Sequence, residues 1–108
     1  MHSNLIVARM EPGHQQEVAE LFARFDRTDM PGRMGTRRRQ LFEFEGLYFH
    51  LQDFEAEETD TAIEAAKNDP RFVQVSADLR PFIEPYKPDW ASPKDAMARR
   101  FYTWEQGR

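Results

Sequence analysis

A hairpin pattern constrains this chain more than any other feature. Two strand-like runs, Thr36–Phe44 and Leu47–Gln52, flank the dipeptide Glu45-Gly46. A two-residue loop ending in glycine predicts a tight antiparallel turn, and the turn fixes the register. Phe44 then faces Leu47, Phe42 faces Phe49, and Leu41 faces His50. Side chains alternate between the two faces of a strand with period two. One face therefore carries Arg37, Arg39, Leu41, Glu43, Tyr48, His50 and Gln52. The other carries Arg38, Gln40, Phe42, Phe44, Leu47, Phe49 and Leu51, and is a packing face. The polar face brings two arginines, a glutamate, a tyrosine and a histidine within cross-strand reach, with Arg39 diagonal to His50. By residue type alone that face is either a solvated strand surface or the wall of a cavity.

The remaining segments supply the rest of a small fold. Asn4–Met10 is β-branched and apolar and reads as a first strand. Pro12-Gly13 follows, with Pro12 suited to the first turn of a helix. Val18, Leu21, Phe22 and Phe25 recur at helical spacing, so a helix runs to an end within Asp26–Asp29, before Met30-Pro31-Gly32. A second helical region is expected from about Glu57 to Asn68, with Ala62, Ile63 and Ala66 on its apolar face. Asp69-Pro70 reads as an N-cap and first-turn proline. Phe72, Val75 and Leu79 carry that helix to Pro81. Pro85 to Pro93 is a proline-rich connector anchored by Trp90, and Met97–Trp104 is expected to be a last strand. The order β-α-β-β-α-(α)-β predicts an α+β, ferredoxin-like antiparallel sheet with helices on one face. The uncovered face holds Phe42, Phe44, Leu47, Phe49 and Leu51. It is expected to meet a second subunit, giving a dimeric α/β barrel.

Composition narrows the function. The 108 residues make one domain, 1–108, and 40% of them are hydrophobic, enough for one core. A net charge of −4 argues against nonspecific nucleic-acid binding. The run Arg37-Arg38-Arg39 splits across two strand faces and makes no basic patch. With no cysteine in the sequence, disulfides, thiolate catalysis and Cys-ligated metals are excluded. His2 and His14 read as surface residues, and no His pair has metal-ligand spacing, so no metal is expected. The apolar run Leu5–Ala8 is too short for a signal sequence or a membrane span, so a cytoplasmic protein without membrane contact is expected.

One block is more specific. Gly35-Thr-Arg-Arg-Arg-Gln-Leu-Phe-Glu-Phe-Glu-Gly-Leu-Tyr-Phe-His-Leu51 resembles the signature block of the tetracenomycin-type aromatic polyketide cyclases. The likeness extends to Asp26-Arg-Thr-Asp-Met-Pro31, to Pro85-Tyr-Lys-Pro-Asp-Trp90 and to Phe101-Tyr-Thr-Trp104. It implies a ferredoxin-like homodimer without cofactor that acts on an aromatic polyketide intermediate, alongside other synthase components. The implied reaction is an aldol-type ring closure with dehydration. Three polar positions considered for the site in that family fall here on Asp26, Arg39 and His50. A family member also has a histidine immediately before that aspartate. Phe25 stands there in this chain, so a mechanism requiring that histidine cannot operate.

These residue types suit the implied chemistry. Ring closure removes a proton from carbon between two carbonyls, stabilises the enolate oxygen, then protonates an alkoxide and loses water. A neutral histidine suits proton transfer near pH 7. An arginine is a fixed cation for an enolate. Asp26 is suited to orient His50 or to act as a base. Phe25, Tyr48, Tyr102 and Trp104 are the aromatics expected to shape the substrate. Two other functions fit the same architecture: a cofactor-free monooxygenase acting on aromatic polyketides, and a non-catalytic polyketide-binding partner of the synthase.

Overall fold

The computed structural model describes residues 2–55, 66–91 and 93–107. Its elements, in chain order, are β1 (His2–Met10), α1 (Gln15–Asp26), α2 (Met30–Arg33), β2 (Thr36–Phe44), β3 (Leu47–Phe54), α3 (Pro70–Leu79) and β4 (Ile83–Glu84). A short 3-10 turn, Pro93–Ala96, follows. The four strands form one sheet in the order β2-β3-β1-β4. Its described pairings are antiparallel. The fold is therefore ferredoxin-like. The helical region expected from about Glu57 falls for the most part outside the described residues.

The hairpin closes as its sequence dictates. Glu45 and Gly46 both take positive φ, 47° and 85°, the pairing of a type I′ turn whose twist matches the strands. Glu43 braces the turn, accepting a hydrogen bond from the Gly46 N–H at 3.1 Å. Phe44 pairs with Leu47, Phe42 with Phe49 and Leu41 with His50. The register slips between Thr36 and Arg38. That bulge removes Arg37 from the face of Arg39, where strict alternation puts it. Arg37 is instead exposed and paired with Glu55 at 2.5 Å.

The core lies between the helices and one sheet face. Val18, Phe22 and Phe25 form the buried stripe of α1. Val18 and Phe22 meet Ala8, Met10 and Tyr48 from the sheet. Phe25, Met30 and Met34 form a second cluster, against which Ala66, Phe72 and Val75 pack. Burying each such large side chain stabilises by about 1.5–3 kcal/mol. Asp69 caps α3, its side chain accepting from the Arg71 backbone N–H, with Pro70 in the first turn. Helix α1 begins at Gln15 rather than at Pro12, because Gly13 at φ 86° completes a turn first.

Met97–Trp104 is not a strand. Met97 makes a single bridge to Ile6, and the Ala98 N–H donates to Leu5 O at 2.7 Å. Running antiparallel from that bridge, the chain has only His2–Leu5 of β1 left to pair with. The fourth strand is Ile83–Glu84, confined to two residues between Pro81 and Pro85. Beyond Ala98 the chain leaves the sheet, with Phe101, Tyr102 and Trp104 exposed at 96%, 74% and 69%. On the outer sheet face Phe42 and Phe44 are exposed at 50% and 62%. No helix among the described residues is long and apolar enough to cross a membrane.

Candidate active site

Arg39 is the hub of the inner face. It projects from β2 toward α1, and its side chain is 10% exposed. Its Nε donates to both oxygens of Asp26 at 3.1 and 3.0 Å, and Nη2 donates to Oδ1 at 2.8 Å. The geometry is a forked guanidinium–carboxylate pair. Nη1 points the other way, to His50 Nε2 at 2.9 Å and Gln52 Oε1 at 3.2 Å. The guanidinium carbon lies 5.0 Å from the Phe22 ring centre and 5.7 Å from that of Phe25. Aromatic faces at that range attract a cation.

Each partner is delivered by an element already described. Asp26 is the last residue of α1, and it stays reachable from solvent with its side chain 37% exposed. His50 and Gln52 alternate along β3 on the helix-covered face, both 7% exposed. The register places Arg39 opposite Gln52 and Leu41 opposite His50, so Arg39 meets His50 on the diagonal. A cation with four of its five N–H groups committed retains one donor. That is the second Nη2–H, which has no partner among the described residues.

The contact with Arg39 also settles the state of His50. A guanidinium only donates, so His50 Nε2 must accept and the ring carries its proton on Nδ1. Burial, with the Phe22 ring 5.1 Å away, and then the Arg39 charge lower its pKa to about 3. The imidazole is thus neutral throughout the neutral range and its basic lone pair is occupied. The neutral histidine expected from sequence is what this environment holds, with Nε2 already accepting from Arg39. Tyr48 lies deeper, 4% exposed in the cluster with Val18 and Phe22, with its ring 6.1 Å from that of His50. Burial pushes its phenol above the ordinary range.

The structure thus brings Asp26, Arg39 and His50 together, with Phe25 and Tyr48 at the margins. It does not bring Tyr102 and Trp104 to them. Both lie on the exposed tail past the β1 edge, and β3 and β1 separate that edge from β2. A cleft of about 300 Å³ runs between α1 and α3, lined by Leu21, Arg24, Phe25, Pro70 and Val75 among others. Phe25 touches both this cleft and Arg39. Gln52 and Phe22 join the three polar residues at the site. Gln52 shares the alternating face of Tyr48 and His50, which is the signal that marks it. No three His, Asp or Glu side chains converge as a metal site among the described residues.

Comparison with known proteins identifies the family. The model of the family described as "Polyketide synthesis cyclase" matches residues 2–105. The chain belongs to that family. Tetracenomycin F2 cyclase of Streptomyces glaucescens is 37% identical over 100 residues, covering 93% of this chain and 91% of the relative. The solved structure of that cyclase superposes with a TM-score of 0.91 at 34% identity, over 99% of this chain and all of its own. An uncharacterised protein of Streptomyces coelicolor, SCO5314, is 45% identical over 108 residues, 98% of this chain and 96% of its own. A structure described as a putative antibiotic biosynthesis monooxygenase, from Chloroflexus aurantiacus, shares the fold alone. Its TM-score is 0.58 at 14% identity, over 97% of this chain and 95% of that one. This polyketide cyclase family member therefore carries Phe25, not histidine, immediately before Asp26.

Proposed function

We propose that this protein catalyses a regiospecific intramolecular aldol cyclisation and dehydration of a partly cyclised aromatic polyketide, without a cofactor. The observation that carries the reading is the buried Arg39 guanidinium, fixed by Asp26, His50 and Gln52 with one N–H uncommitted. That donor suits a carbonyl oxygen becoming an enolate, where one lost oxyanion donor typically costs roughly 2.7–4 kcal/mol. Asp26, the exposed end of the pair, takes the proton from carbon between two carbonyls. The resulting carbanion attacks a second carbonyl carbon, forming the ring bond, and the new alkoxide recovers a proton. Loss of that hydroxyl as water, with a further proton from the adjacent carbon, gives the aromatic ring. His50 stays neutral and acts through Arg39, as an acceptor that keeps the guanidinium in place. Phe25, which lines the cleft beside Arg39, contacts the substrate rings, whereas Tyr48, expected from sequence to do the same, is packed into the core.

The outer sheet face completes the proposal. Phe42 and Phe44, half or more exposed in the single chain, form an apolar surface with Leu47, Phe49 and Leu51 on the same face. We assign it to a second copy of the chain.

Conversion of a polyketide made in situ by a minimal synthase, with and without this protein, tests the reaction. Mass spectrometry and NMR should show a ring-closed product one water lighter, formed equally under argon and in air. A product that gains oxygen and forms only in air would make the protein a monooxygenase. Ligand binding with no change of product would make it a non-catalytic partner.

A further inference from the structure

Gln52 stands at the centre of a polar row that crosses three strands. The register sets Arg39 of β2 beside Gln52 of β3, and Gln52 beside Asn4 of β1. Gln52 and Asn4 are 7% and 8% exposed, on the face that the helices cover. Arg39 Nη1 donates to Gln52 Oε1 at 3.2 Å, and Gln52 Nε2 donates to Asn4 Oδ1 at 3.2 Å. The cation forces this direction. A guanidinium offers only donors, so Gln52 must turn its oxygen to Arg39 and its NH₂ away, and Asn4 must then present an oxygen. Two buried carboxamides are poor substitutes for an apolar pair unless they satisfy something. Here they end a chain of hydrogen bonds that begins at Asp26.

The Asp26 fork alone does not fix the guanidinium. Asp26 ends α1 and is partly solvent-exposed, and a forked pair still tilts about its own axis. His50 and Gln52 hold the opposite nitrogen, Nη1, at two points. We infer that Gln52, backed by Asn4, is a positioning residue: it fixes the plane of Arg39 so that the unpaired Nη2–H points at the substrate oxygen. The inference rests on the proposed role of Arg39 in ring closure. Gln52 itself touches no substrate.

The test compares wild type, Gln52→Met and Gln52→Glu as full chains, reading rotation about the Arg39 Cζ–Nη1 bond by ¹⁵N NMR alongside kinetics. Met keeps the length and loses the carbonyl. Glu keeps an oxygen on Arg39, and Asn4 can turn its NH₂ toward the other carboxylate oxygen. Gln52→Met should quicken the rotation and lower kcat about tenfold, with a smaller change in KM and more misfolded shunt product. Gln52→Glu, which puts a charged oxygen on Nη1, should slow the rotation below wild type and keep the wild-type product ratio. Unchanged rotation in Gln52→Met overturns the inference. Faster rotation with unchanged kcat and products overturns the role of Arg39 in the reaction and leaves the hydrogen-bond account intact. Should Gln52→Met fail to fold, Gln52→Glu decides alone: rotation slower than wild type supports the inference, and unchanged rotation overturns it.

Discussion

Acidification should destabilise this protein through His50, by an amount the structure sets. The folded imidazole has a pKa of about 3, because burial and the Arg39 charge oppose protonation. In the unfolded chain an imidazole returns to about 6.5. Between those values the unfolded state binds a proton that the folded state refuses, so stability rises with pH across the window. The contribution is complete above about pH 6.5 and is lost progressively as pH falls toward the folded value. The limiting slope is about 1.4 kcal/mol per pH unit, which makes the loss between pH 7 and pH 5 about 2 kcal/mol. A domain of this size has only about 5–15 kcal/mol in total. Urea unfolding of wild type and His50→Gln at pH 7, 6 and 5 isolates the effect. Glutamine retains an acceptor for Arg39 and does not titrate, while the carboxylates common to both proteins cancel in the difference. Wild type should lose about 2 kcal/mol relative to the variant by pH 5. Parallel stability curves, or an imidazole that titrates near pH 6 by NMR, would refute the buried neutral His50.

Two further outcomes follow from the same geometry. Asp26→Asn keeps one acceptor for Arg39 but loses the base and the fork, so kcat should fall about 10²-fold or more and the unfolding midpoint should drop as well; an unchanged rate at pH 6–8 would remove Asp26 from the chemistry. The double variant Phe42→Glu/Phe49→Glu places charge on the outer sheet face and should give a monomer or insoluble protein in sedimentation equilibrium. A soluble, fully active dimer would show that the two copies meet elsewhere.

The hairpin carried most of what could be read from sequence. Its two-residue loop admits one register, and that register alone predicts Arg39 diagonal to His50, as observed at 2.9 Å. The capping of α3 by Asp69 and the apolar stripe of α1 were readable for equally local reasons. Three features were not. The bulge between Thr36 and Arg38 has no glycine to announce it, so Arg37 was assigned to the wrong face. Met97–Trp104 has strand-like composition, but after its single bridge to Ile6 the chain leaves the sheet and exposes Phe101, Tyr102 and Trp104, a course that composition does not announce. The state of His50 depends on Phe22 and Arg39 meeting it from α1 and β2, a tertiary fact that residue type cannot supply.

The central claim is that the Arg39 guanidinium holds the enolate oxygen and, with it, the fold of the substrate chain. The most direct test is the reconstituted reaction with Arg39→Ala, Arg39→Lys and Arg38→Ala, scored for initial rate and for the ratio of ring-closed to shunt products. Arg39→Ala should cost about 10²–10³ in rate and raise the shunt fraction. Arg39→Lys restores charge but cannot bind Asp26 by a fork while donating to both His50 and Gln52, so rate should recover further than selectivity. Arg38→Ala, on the opposite face of the same strand, should leave both near wild type. Full rate and product fidelity in Arg39→Ala, or their loss in Arg38→Ala instead, would contradict the account.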